Sequence, residues 1–148
     1  MALILKLKLM IQKFFNFNIK TNGQKLYELT SEILNWIEES EFKDGIINLS
    51  IQHTSASLIV QENADPDVQN DLLNYFDKLV PMNKKLYTHT AEGKDDMPAH
   101  IKAVLTNNQI SLSIKSSKLL LGTWQGIYLF EHRLNNQNRL IIGHYLGN

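Results

Sequence analysis

Two apolar runs near the carboxy terminus, Ile127-Tyr128-Leu129-Phe130-Glu131-His132-Arg133 and Arg139-Leu140-Ile141-Ile142-Gly143-His144-Tyr145-Leu146, decide how the chain is read. Both are rich in β-branched and aromatic residues, and neither is long enough to prefer a helix. Asn135-Asn136-Gln137-Asn138 lies between them, so they read as an antiparallel hairpin. Upstream, Ile110, Leu112 and Ile114 alternate as a strand, and Ser116-Ser117 marks a turn before Leu119–Leu121. The carboxy-terminal half is therefore antiparallel β.

The first half mixes the two periods. Ile11, Phe15, Phe17 and Ile19 share a parity, which predicts a strand over 11–20; Asn22-Gly23 turns it. Thr30 can cap a helix running to about Ser40, with Ile33, Leu34 and Ile37 on one face. Ile47, Leu49 and Ile51 predict an inward-facing strand, and another apolar run follows at Leu58-Ile59-Val60. Asp65-Pro66-Asp67 supplies an N-cap, a first-turn proline and an early acid for a helix carrying Val68, Leu72, Leu73, Phe76 and Leu79. Pro98–Leu105 reads as a short helix, with Asp95 or Asp96 as its cap. Together these predict an α+β fold: mainly antiparallel sheets in a sandwich, with helices packed on them.

The 148 residues fit one domain, placed at 10–148. Residues 1–9, with leucine at 3, 5, 7 and 9 and lysine at 6 and 8, read as an amino-terminal extension or an additional alternating strand. Lys+Arg and Asp+Glu are equal at 15 each, which argues against a broad nucleic-acid or anionic-membrane footprint while leaving room for a small anion or phosphorylated substrate. No apolar run approaches membrane-span length. The absence of cysteine removes disulfides and thiolate chemistry and fits a cytoplasmic protein.

The chemistry-bearing residues cluster in four blocks. His53-Thr54-Ser55-Ala56 follows a strand, and residues 87–100 place His89 and His100 around Glu92, Asp95 and Asp96. His53, His89 and His100 can hold a divalent metal through imidazole nitrogen, with an aspartate or Glu92 as oxygen ligand; as ordinary surface histidines they need no metal. One aspartate can cap the helix while the other serves as ligand or base. The hydroxyls beside His53 suit an anion contact or plain strand-end hydrogen bonding. Gly122 and Gly126 bracket Trp124-Gln125, which reads as a core tryptophan on a bulged strand or as a wall for a ligand ring. Glu131 and Arg133 share a parity, leaving an arginine–carboxylate pair and an anion-binding arginine both open.

Read as a set, His53–Ala56, Glu62-Asn63-Ala64-Asp65-Pro66-Asp67-Val68, Asp95-Asp96-Met97-Pro98-Ala99-His100 and Leu121-Gly122-Thr123-Trp124-Gln125-Gly126-Ile127 resemble the signature blocks of the YjbQ family, in the family's order, from about Met10 to Leu146. The resemblance implies a homotrimer with a polar site near subunit boundaries. It also implies a secondary thiamine-phosphate synthase activity, which joins a pyrimidine methyl diphosphate to a thiazole phosphate and releases pyrophosphate. On that reading His53, His89, Asp95, Asp96 and His100 are catalytic, and the three histidines are also metal ligands, the metal's identity open. Ser55, Glu62, Trp124, Gln125, Glu131 and Arg133 then meet substrate. A non-catalytic trimeric module binding a metal or small anion is the alternative. Gln61, Lys115 and Asn107-Asn108 depart from the family pattern, at positions that shape loops.

Overall fold

The computed structural model describes residues 9–148, so the expected strand within residues 1–9 lies almost wholly outside them. The elements run β1 (Ile11–Asn22), β2 (Lys25–Glu28), α1 (Thr30–Glu39), β3 (Gly45–Ile51), β4 (Ala56–Glu62), α2 (Pro66–Leu79), α3 (Asp96–Leu105), β5 (Gln109–Lys115), β6 (Lys118–Leu119), β7 (Gln125–Glu131) and β8 (Asn136–Gly147). A single 3₁₀ turn, Lys84–Leu86, separates α2 from α3. The fold is α+β, as the patterns predict, in two antiparallel sheets ordered β1-β8-β3-β5-β6 and β2-β7-β4.

The expected hairpin between the last two strands does not form. β7 pairs with β2 and β4, whereas β8 pairs with β1 and β3 in the other sheet. Burial explains the division. From Gly126 to Glu131 every residue of β7 is buried. Its Ile127 and Leu129 join the inter-sheet core, and its Tyr128 and Phe130 pack under Leu72, Leu73 and Phe76 of α2. A continuous apolar run is what a strand covered on both faces requires. β8 instead alternates, with Arg139, Ile141 and Tyr145 inward. The chain therefore crosses between sheets over residues 132–135.

Between the sheets lie Ile47, Leu49, Leu58, Ile127, Leu129 and Ile141, each removed from water, at roughly 1.5–3 kcal/mol of hydrophobic stabilisation per side chain. α1 closes one side with Trp36, whose ring meets Phe17 and Phe42 edge-on. Gly143 is needed there, because a Cβ would come within 2.8 Å of the Phe17 ring. Caps differ in detail from expectation. Asp65 caps α2 by accepting from the Asp67 N–H, as predicted. Thr30 does not cap α1. Leu29 occupies that position, and the Thr30 hydroxyl accepts the Ile127 N–H at 3.0 Å, pinning the helix to β7.

Candidate metal centre

Three segments meet at one end of the sandwich: the connection after β3, the loop leading into α3, and the chain leaving β7. Arg133 organises the meeting. Its Nε donates to Asp95 Oδ2 at 2.9 Å, its Nη1 to Asp96 Oδ1 and its Nη2 to the Glu92 carbonyl at 2.9 Å. The Leu134 N–H adds a bond to Asp95 Oδ2. Asp95 stands at the N-cap position of α3, yet neither it nor Asp96 caps the helix with its side chain. The guanidinium and the Leu134 amide draw the Asp95 carboxylate away instead. Gly93 permits this path: its φ is +111°, and an added Cβ would stand 2.9 Å from Asp95 Oδ1.

With Oδ1 taken by Arg133, Asp96 turns Oδ2 toward two imidazoles. His89 Nε2 lies 2.7 Å from it, and His100 Nε2, one helical turn on, lies 3.3 Å from it. The Asp96 side chain is 2% exposed, against 44% for His89 and 33% for His100, so a buried carboxylate faces solvent through two accessible rings. Burial alone pushes the Asp96 pKa up, but the His89 hydrogen bond and the charges of Arg133 and the two histidines outweigh it and leave it lowered. Asp95 is likewise lowered, burial being outweighed by bonds from Leu134 and Arg133.

Protons define what this arrangement offers. His100 Nδ1 lies 2.9 Å from the Thr54 carbonyl, which can only accept, so Nδ1 carries a hydrogen. In the neutral ring Nε2 then presents a lone pair to an ionised oxygen 3.3 Å away. Two acceptors at that separation need a proton or a cation between them. One ligand atom from each of His89, Asp96 and His100 lies within 4.8 Å of the other two. Two imidazoles and a carboxylate, one ring oriented by a backbone carbonyl, are the donor types that zinc, nickel or iron accepts.

His53 stands apart from that group. Its Nε2 accepts the Leu140 N–H at 2.9 Å, which leaves the ring hydrogen on Nδ1. Burial and then the Arg139 charge lower its pKa against the opposing pull of Glu131, favouring the neutral ring. It lines a cleft of about 290 Å³ with Thr54, Ala56, Ala103, Val104 and Thr106, beside the carbonyl that orients His100.

Ser55 and Glu131 belong to a closed network. Glu131 is fully buried and accepts from Arg139 Nε at 2.7 Å, Thr21 Oγ1 at 2.8 Å and the Arg133 N–H at 3.0 Å. Arg139 Nη2 also reaches Ser55 Oγ at 3.0 Å. Glu62, Trp124 and Gln125 sit elsewhere. Glu62 pairs with Gln125 at one end of the three-stranded sheet and Ala56 with Glu131 at the other. Six residues of strand separate those ends by roughly 20 Å. Trp124 is exposed there, not a core residue, and Gln125 Oε1 accepts the Gly122 N–H.

Two buried groups escaped the sequence reading. Arg139 shares its parity with Ile141 and Tyr145, so a charge on the core-facing side was the available signal for a partner. His132, Lys102 and Ser57 form the other group. Ser57 Oγ lies 2.8 Å from His132 Nε2, the buried Lys102 pairs with Asp77, and His132 Nδ1 has no hydrogen-bond partner among the described residues. Burial, then Lys102 and Arg139, lower the His132 pKa to about 3.

A family model described as UPF0047 protein YjbQ-like matches residues 15–148. The chain belongs to the YjbQ family. It is 46% identical over 129 residues to a UPF0047 protein of Synechocystis, covering 87% of this chain and 88% of that one. It is 40% identical over 137 residues to YjbQ of Escherichia coli O157:H7, covering 92% and 97%. Among solved structures, an uncharacterized YjbQ/UPF0047 protein of Clostridium acetobutylicum superposes with a TM-score of 0.79 at 35% identity, over 87% of this chain and 97% of that one. A hypothetical protein of Aeropyrum pernix shares the fold at a TM-score of 0.83, with 21% identity over 92% and 99% of the two chains. No described helix is long and apolar enough to cross a membrane.

Proposed function

We propose that His89, Asp96 and His100 hold a divalent metal, and that this YjbQ-family chain uses the site as a transferase of the thiamine-phosphate synthase type. The observation that carries the metal is the facing of His100 Nε2, its lone pair fixed by the Thr54 contact, and Asp96 Oδ2 across 3.3 Å. Bound there, a cation supplies Lewis-acid neutralisation of a phosphate or diphosphate oxygen. Asp95 and Arg133 act as positioning residues, since their polar atoms hold Asp96 and its loop. His53, neutral and with its hydrogen on Nδ1, offers a donor to a small phosphorylated substrate in the adjoining cleft. The transferase assignment itself rests on the family resemblance, as do the homotrimer and the boundary placement of the site. In such an assembly a neighbour's Trp124 end can approach the histidines that its own chain holds far away. The cysteine-free composition goes with a cytoplasmic location.

Elemental analysis and metal titration of untagged protein test the centre. The wild type should bind about one zinc or nickel ion per chain, and His100→Ala should lose at least ~10–100-fold in affinity while remaining folded. Unchanged affinity in His89→Ala and His100→Ala overturns the centre. Assay with the pyrimidine diphosphate and thiazole phosphate across divalent metals, with complementation of a thiamine auxotroph, tests the transfer.

A specific observation favours a second reading, a binding module without turnover. Ser55, Glu131 and Arg133 are engaged internally and Trp124 is remote, so one chain by itself brings little to a substrate. Metal-dependent thermal stabilisation by diphosphate without product decides for the module.

A further inference from the structure

The buried group of Ser57, His132 and Lys102, unused by the metal chemistry above, bears on the cleft beside His53. Thr106 joins the two. It lines the cleft with His53 and Thr54, and its Oγ1 lies 2.7 Å from both the Lys102 carbonyl and Ser57 Oγ. Ser57 Oγ in turn lies 2.8 Å from His132 Nε2.

The carbonyl fixes where the hydrogens of this chain lie. It can only accept, so the single Thr106 hydroxyl hydrogen goes to Lys102. The Ser57 hydroxyl then donates to Thr106, and His132 Nε2–H donates to Ser57. His132 Nδ1 is left without a hydrogen, in keeping with a neutral ring whose Nδ1 has no partner among the described residues. Thr106 therefore has no hydrogen to give a ligand, only its remaining lone pair. His53 is its opposite. The Leu140 N–H occupies Nε2, so the ring has only Nδ1–H to give.

The cleft thus carries one fixed donor and one fixed acceptor, while Thr54 and Asn108 supply groups that serve in either role. Ala56 and Ala103 give it short apolar walls, and no lysine, arginine or carboxylate lines it. A charged ligand would be desolvated there without a countercharge, which is costly. Its volume of about 290 Å³ is at the small end of ligand cavities and suits a single ring. We infer that the cleft receives an uncharged planar ring with a hydrogen-bond acceptor and a donor on one edge, the acceptor meeting His53 Nδ1–H and the donor meeting Thr106 Oγ1. Amino-heterocycles and cyclic amides share that edge. The inference rests on the preceding reading and names the part of the substrate that lies in the cleft. Phosphate stays on the His100 side, where the Thr54 carbonyl meets that ring.

Ligand-observed NMR titration of the full chain tests the cleft, with 2-aminopyrimidine and 2-pyridone as probes. Pyrimidine, which lacks the donor, and aniline, which lacks the ring acceptor, are the controls. At least one probe should bind the wild type roughly 3–10-fold more tightly than either control, the effect of one hydrogen bond. The tighter probe tells an amino-heterocycle from a cyclic amide. Thr106→Val should weaken that probe by the same factor and leave pyrimidine unchanged, and Thr106→Ser should restore it. His53→Ala should weaken the probe and pyrimidine alike and spare aniline, with far-UV dichroism unchanged. Probes no tighter than the controls, or equal losses of probe and pyrimidine in Thr106→Val, overturn the inference. Metal titration is scored separately. A chain that binds zinc but neither probe loses the cleft ligand alone; one that binds a probe but no zinc loses the metal centre alone.

Discussion

Arg133, within the sheet-to-sheet crossing, and Arg139, beyond it in β8, meet carboxylates in opposite ways. Arg139 and Glu131 are both removed from solvent, and Thr21, Ser55 and the Arg133 amide complete their hydrogen bonds. Nothing there is left to bind. Arg133 closes one oxygen of Asp96 and leaves the other turned toward two solvent-accessible imidazoles. A buried ion pair with every partner supplied is a brace. A buried carboxylate oxygen supplied only with exposed nitrogen groups is a receptor for a proton or a cation.

The largest difference should be in stability. Arg139→Met leaves Glu131 buried beside the Thr21 hydroxyl and the Arg133 amide, without its countercharge. Loss of a buried partner typically costs about 3–5 kcal/mol, so urea unfolding should show a drop of that order. His100→Ala, which touches the open cluster, should shift the same curve by well under half as much. Equal losses at the two positions would erase the distinction between brace and receptor.

His132 sharpens the comparison through pH. Its folded pKa is depressed to about 3, whereas an unfolded histidine titrates near 6.5. Between those values the unfolded chain binds the extra proton, so this residue's contribution is present above about pH 6.5 and falls as pH drops toward 3. The slope is up to ~1.4 kcal/mol per pH unit. Unfolding free energies from pH 7 to 4 should follow it, and His132→Phe should flatten that window. Asp95, Asp96 and Asp77 are lowered as well, so their contribution is lost only further into acid, as pH falls below the usual carboxylate value of about 4.

Much of this architecture was legible. Strict parity set the inward faces of β3 and β5, and Asp65-Pro66-Asp67 marked the start of α2. Alternation reports which residues share a face; it does not report which strand lies alongside, so β7 and β8 read as a hairpin although they lie in different sheets. The unbroken burial of β7 carried the information, once read as two covered faces. In residues 87–100 the residue types were legible and their roles were not. Which aspartate would cap α3 turned on Arg133, 37 residues beyond Asp96, and the state of His53 turned on a backbone amide at Leu140. Long-range partners of that kind leave no local signal.

The smallest effect belongs to the loop that carries the open cluster. Gly93 holds φ at +111°, and its missing Cβ leaves room for Asp95 Oδ1. Gly93→Ala therefore strains the backbone and presses on a carboxylate that Arg133 and the Leu134 amide grip from the other side. A cost of about 1–2 kcal/mol is expected from the backbone conformation. Asp96, held separately through Oδ1, keeps its orientation, so metal affinity should fall only a few-fold, measured by titration alongside His100→Ala. The split is informative because the two aspartates are adjacent in sequence yet held by different guanidinium nitrogens. Loss of metal equal to that of His100→Ala would mean that Arg133 transmits the strain from one carboxylate to the other, and that the two aspartates respond as a single unit.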